Sequence, residues 1–218
     1  MAAPSRILAG AVALAVAGGA PGPATAHPHV FIDAGVDFLF DPEGRLALLR
    51  VTWVYDHLST LLLLEDLGIT PDAGGSIAEA DKAAVARDQS QWVEGYDGDA
   101  TLRHAGARIG LSGPIEPQAD YAEGQVEIRF LRALETPIRP DESTVVRLYD
   151  PGYFVAYFVS LEPALEHAPE TCHATVIPFE PTGPLAALQQ SLFALPPDED
   201  PDEPVGHLFA DEIRVTCD

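Results

Sequence analysis

HVFIDAGVDFLFDPEGRLALLRVTWVY, residues 29–55, is the stretch from which the fold can be read. Apolar residues alternate through Val36, Phe38 and Phe40, the turn-forming DPEGR follows, and LALLRVTWVY alternates again. A period of two on both sides of a short Asp/Pro/Gly turn predicts a hairpin with one face in a core. After Tyr55 the period changes. Ser59 can cap a short helix through TLLLLEDL, Gly68 ends it, and beyond a Pro/Asp/Gly-rich loop a second helix is predicted from about Ala78 to Val93. Strands are predicted again at ARIGLS, QVEIRFLRAL, STVVRLYD, YFVAYFVS and HATVIPFE. A helix near PLAALQQSLFAL and a last strand EIRVTC follow, with the acidic PPDEDPDEP as a loop between them. The fold class is therefore α+β: a mostly antiparallel β-sheet domain with a helical pair inserted at residues 56–95 and a C-terminal helix.

At the N-terminal side, Arg6 precedes the apolar ILAGAVALAVAGGA, then Pro21, Gly22, Pro23 and the small-x-small triplet Ala24-Thr25-Ala26. That is the anatomy of a secretory signal peptide over residues 1–26, with cleavage after Ala26. Its apolar core is shorter than the roughly 20 residues a spanning helix needs, so no membrane anchor is expected after cleavage. Residues 27–218 are long enough for a single exported domain with its own core. Cys172 and Cys217 are the only cysteines, and in an exported chain they suggest one disulfide. Closing such a loop stabilises by about 3 to 4 kcal/mol. A soft-metal site of Cys172, His173 and Cys217 is the competing use of the thiols.

The formal charge is −22, and Lys82 is the only lysine. Such a surface repels nucleic acid and anionic lipid and attracts cations over roughly 8 Å at physiological salt. Nucleic-acid binding is not expected.

If cleavage follows Ala26, His27 offers its α-amine and its imidazole to one ion in a chelate ring. Nitrogen pairs of this kind suit copper(II), nickel(II) or zinc. His29 is two residues on, so in extended backbone its side chain falls on the same face. The hairpin returns Asp56 and His57 towards this end, where either supplies a third ligand, with Asp33 behind them. The plainer alternatives are a frayed His27, a hydrogen-bonded His29 and a helix cap at Asp56.

Two further clusters stand out. TPDAGGSIAEAD, residues 70–81, places Thr70, Asp72, Gly74, Ser76 and Asp81 at calcium-loop positions, but only two are acids and the last is Asp rather than a bidentate Glu. This argues against calcium. In RLYDPGYFVAYF, Tyr149, Asp150, Tyr153 and Tyr157 surround a tight turn, either as a ligand platform or as packing. No G-x-S-x-G, phosphate-cradling glycine loop or H-E-x-x-H occurs, so no enzyme class is indicated.

AHPHVFIDA, WVYDHLSTLLLLEDLGI, the calcium-loop-like segment, WVEGYDG, VRLYDPGYFVAY and the closing RVTCD together resemble a bacterial periplasmic family known as domain of unknown function 1007. The resemblance implies a periplasmic component of an uncharacterised ABC-type transport system that accompanies nickel/cobalt-type membrane transporters. Similar proteins carry a fuller acidic loop, D-x-D-x-D-G, where this chain has TPDAGGS. The expected function is thus a periplasmic accessory protein that binds a transition metal, nickel or cobalt first, zinc or copper next, for an inner-membrane metal transporter. His27, His29 and Asp56 or His57 are the expected ligands. A solute-binding protein for a small organic ligand, with the tyrosines as its floor, and a histidine-brace copper enzyme are the rival readings.

Overall fold

The structure, a computed structural model, describes residues 28–196 and 199–218. The expected signal peptide and His27 lie outside the described residues. The hairpin forms as predicted: β1 (Val30–Phe40) pairs antiparallel with β2 (Leu46–Tyr55), from Ile32 opposite Tyr55 to Phe40 opposite Leu46. Alternation sets its faces. Ile32, Ala34, Val36 and Phe38 are buried, while Phe31 and Asp33 point outward. The turn is held by Asp41, whose carboxylate accepts the amides of Glu43 and Arg45.

The helical pair follows as α1 (His57–Asp66) and α2 (Glu79–Ser90). The cap of α1 is Asp56, not Ser59. Both the amide and the hydroxyl of Ser59 donate to the Asp56 carboxylate, at 2.9 and 2.6 Å, which places Ser59 inside the first turn. Gly68 ends this region in the left-handed conformation, φ +67°, as glycine readily does. The second helix stops at Ser90, three residues before the expected end at Val93.

Asp56 also accepts the amide of Phe31 at 2.9 Å, tying the helix start to β1. Asp56→Ala removes the cap and strands a strand amide, and it is expected to cost about 1 to 3 kcal/mol. Urea unfolding measures the loss; an unchanged midpoint would show that water replaces all three bonds.

The remaining strands and α-helix are β3 (Ala100–His104), β4 (Ala107–Ile109), β5 (Ile115–Ala122), β6 (Gln125–Ile138), β7 (Val145–Leu148), β8 (Val155–Val159), β9 (Leu165–Glu166), β10 (Cys172–Ile177), α3 (Pro184–Phe193) and β11 (Glu212–Cys217), with a 3-10 turn at Gly206–Leu208 before β11. One six-stranded sheet runs β5-β6-β2-β1-β8, with β9 also on β1; a five-stranded sheet runs β10-β11-β7-β3-β4. Among the described residues, only β8 and β9 pair in parallel, both with β1. The fold is α+β and mostly antiparallel, with a helix near the C-terminus.

One core joins the two sheets. Phe38, Val51, Trp53, Ile128 and Phe130 from the first meet Leu102, Val146, Leu148, Ile213 and Val215 from the second. Each such side chain contributes roughly 1.5 to 3 kcal/mol by leaving water. A smaller cluster of Tyr153, Ala156, Leu192 and Phe209 seats α3. Cys172 and Cys217 face each other across β10 and β11 and are disulfide-bonded, which excludes them as soft-metal ligands. Among the described residues no helix is long and apolar enough to cross a membrane.

Candidate functional site

His29 lies one residue ahead of β1. Its amide donates to the Phe154 carbonyl at 2.8 Å, and its ring stacks on that of Phe154 with centroids 4.7 Å apart. The corner between β2 and α1 returns to this strand through a double tie. The Asp56 amide donates to the Phe31 carbonyl at 3.0 Å, and the Asp56 carboxylate accepts the Phe31 amide. Burial works against ionisation of Asp56, but hydrogen bonds from Ser59, Phe31 and Leu58 outweigh it and hold the carboxyl below its usual range. It is an anion at neutral pH.

His57 is exposed, with Nδ1 3.2 Å from the Gly124 carbonyl. A carbonyl oxygen can only accept, so Nδ1 carries the proton and Nε2 of the neutral ring keeps its lone pair. Imidazoles that ligate metals are oriented in this way, by a hydrogen bond from the nitrogen opposite the ion. Asp33 points outward from β1 and accepts the Ser160 hydroxyl at 2.8 Å. Among the described residues no three His, Cys, Asp or Glu side chains gather into a group that could hold an ion. The calcium-loop-like segment turns Asp72 onto its own backbone, accepting the amides of Gly74 and Ser76 at 2.8 and 3.0 Å.

Tyr149, Tyr153 and Tyr157 do line one cleft, but its volume is about 80 Å³. That suits water rather than an organic molecule. Asp150 is occupied by the turn it shapes, accepting the amides of Gly152, Phe154 and Val155. Tyr153 packs on Phe209 and accepts a hydrogen bond from Gln189.

Tyr157 leads to a residue that the sequence does not advertise. Its hydroxyl donates to Asp99 Oδ2 at 2.7 Å, and the Tyr96 hydroxyl donates to the same oxygen at 2.9 Å. Asp99 is only 5% exposed and lies in the left-handed region, φ +50°. Burial pushes its carboxyl up to about 6; the two phenols pull it back, and Asp150 and Asp97 add to the rise. Trp53, Tyr55, Trp92 and Tyr96 wall a recess of about 290 Å³ above it. The chain enters this corner through Gly98, φ +69°, where a Cβ would stand 2.3 Å from the Trp92 ring.

A family described as "Protein of unknown function (DUF1007)" matches residues 12–217. No curated protein matches the chain.

Proposed function

The chain belongs to the DUF1007 family, and we propose that it is a periplasmic transition-metal-binding accessory protein serving an inner-membrane metal transporter. Nickel or cobalt is the first choice of ion, zinc or copper the next. The leader-like segment and the Cys172–Cys217 disulfide support export to an oxidising compartment. The amine and ring of His27 form the chelate, His29 adds a second imidazole, and Asp56 or His57 completes an open site.

The observation that carries this reading is the double tie between Phe31 and Asp56. It sets an ionised carboxylate, beside an imidazole with an available Nε2, against the strand that begins directly after His29. A site with few protein ligands and an open side binds with moderate strength and releases its ion by ligand exchange, as hand-over to a transporter requires.

The test is calorimetric titration of protein beginning at His27 with nickel, cobalt, zinc and copper, beside a variant with one extra residue ahead of His27. The extension removes the amine from the chelate ring and is expected to weaken nickel binding at least tenfold. Equal affinities in the two proteins would end the chelate proposal.

A further inference from the structure

The chain has 12 Lys and Arg against 34 Asp and Glu. Even so, four of its arginines, Arg103, Arg108, Arg147 and Arg214, line one concavity of about 510 Å³ on the outward face of the second sheet. The register explains how they meet. Arg214 of β11 lies opposite Val145 of β7, Val145 opposite Arg103 of β3, and Arg103 opposite Arg108 of β4. Three guanidinium groups therefore share one cross-strand row, with roughly 14 Å between its outer backbones at about 4.8 Å per strand. Arg147 stands two residues along β7, on the same face.

This arrangement costs stability in the free protein. Like charges directly opposite each other in a sheet repel, and Arg103 and Arg108 are such a pair. Compensation is incomplete. Arg108 pairs with Asp97, while Arg147 and Arg214 share the single carboxylate of Glu212. Arg103 donates only to the Gly106 carbonyl among the described residues, and Arg147 Nε is buried without a hydrogen-bond partner. Four guanidinium groups thus meet two carboxylates, in a chain whose formal charge is −22.

We propose that this face binds a small organic anion carrying two or more carboxylates. A guanidinium presents a planar fork that matches a carboxylate in a bidentate pair. Arginines spread over four strands suit charges separated along one molecule better than a single compact ion. The volume lies within the range of small-molecule sites, about 300 to 1,000 Å³. The surrounding acidity selects for size: a long polyanion extends past the row into negative surface, whereas a small one stays within about a Debye length, roughly 8 Å, of the arginines. The site is independent of the metal reading, which concerns the start of β1.

Titration calorimetry in metal-free buffer with citrate, acetate and inorganic phosphate tests the proposal. Citrate is expected to bind saturably with one site per chain, acetate and phosphate at least tenfold more weakly, and citrate affinity should fall as sodium chloride is raised. Arg103→Gln should weaken citrate at least tenfold. Arg108→Gln, in the same row, should do likewise. Arg139→Gln, which does not line the concavity and whose guanidinium is bonded to the Glu43 carbonyl at the β1–β2 turn, should leave affinity within about twofold. Three outcomes overturn the assignment: no saturable citrate binding by the parent protein, equal binding by Arg103→Gln with thermal unfolding unchanged, or equal loss in Arg139→Gln. Phosphate binding as tight as citrate would reduce the row to general anion attraction.

Discussion

Asp99→Asn is expected to match the parent protein in stability below pH 4 and to exceed it by up to roughly 3 kcal/mol at pH 8. In the folded chain the Asp99 carboxyl is raised from 3.8 to about 6. A carboxyl raised by folding holds its proton more tightly in the native state than in the unfolded one. Its contribution is therefore most favourable below about 3.8, declines as pH rises towards 6, and stays at its lowest above that. Asparagine has no proton to lose and avoids this decline. The geometry allows the exchange, because both phenol bonds end on Oδ2. One amide oxygen can accept both, and asparagine tolerates the left-handed backbone at this position. Asp56, Glu166 and Glu212 are lowered by folding and give the opposite pH trend. They are common to both proteins, so the quantity to measure is the difference between the two urea midpoints from pH 4 to 8. A flat difference would mean that Asp99 ionises as easily inside the protein as outside it.

How much of this was legible beforehand depended on whether the determining contacts were local. The hairpin was readable because its alternation extends over both strands. Other strands left weaker traces. In β3, only Ala100 and Leu102 are apolar, too few to mark a period beside the buried but polar Thr101 and the polar Arg103 and His104. Strand β5 contains Pro117 and a positive φ at Glu116, which an edge strand tolerates because its outer side has no ladder to complete. Both Asp56 and Ser59 can cap a helix; the choice fell to Asp56 because the Phe31 amide, 25 residues earlier, also needs that carboxylate.

The candidate sites followed the same rule. The return of the β2–α1 corner to the start of β1 was predictable from the hairpin alone. Asp99 was not, because WVEGYDGDA has the composition of an exposed turn, and burial arrives with Tyr157 from a strand 58 residues later. The arginine row is equally silent in the sequence. Its three members come from β3, β4 and β11, and the register through Val145 of β7 brings Arg214 into line with Arg103 and Arg108.

Loss of the Cys172–Cys217 bond is expected to lower stability by roughly 3 to 4 kcal/mol, on the chain-entropy account of a loop of this length. The two cysteines are separated by 45 residues and stand opposite each other at the open ends of β10 and β11. The loop they close holds α3 and, through Leu192 and Phe209, half of the small cluster completed by Tyr153 and Ala156 from outside it, which is seated apart from the main core. Few other restraints bind that region while it is unfolded, so the crosslink acts chiefly by removing open conformations. With a urea slope of about 2 kcal/mol/M, the midpoint of a Cys172→Ala/Cys217→Ala variant should fall by roughly 1.5 to 2 M. Dithiothreitol should shift the parent protein by the same amount and leave the variant unmoved. Both treatments also loosen β11, which contributes Glu212 and Arg214 to the arginine face. Hydrogen exchange should accordingly rise first in β10 and β11 and last in the β1–β2 hairpin. Uniform acceleration through both sheets would instead mean that the crosslink restrains the whole domain, and an unshifted midpoint would mean that the β10–β11 ladder holds without it.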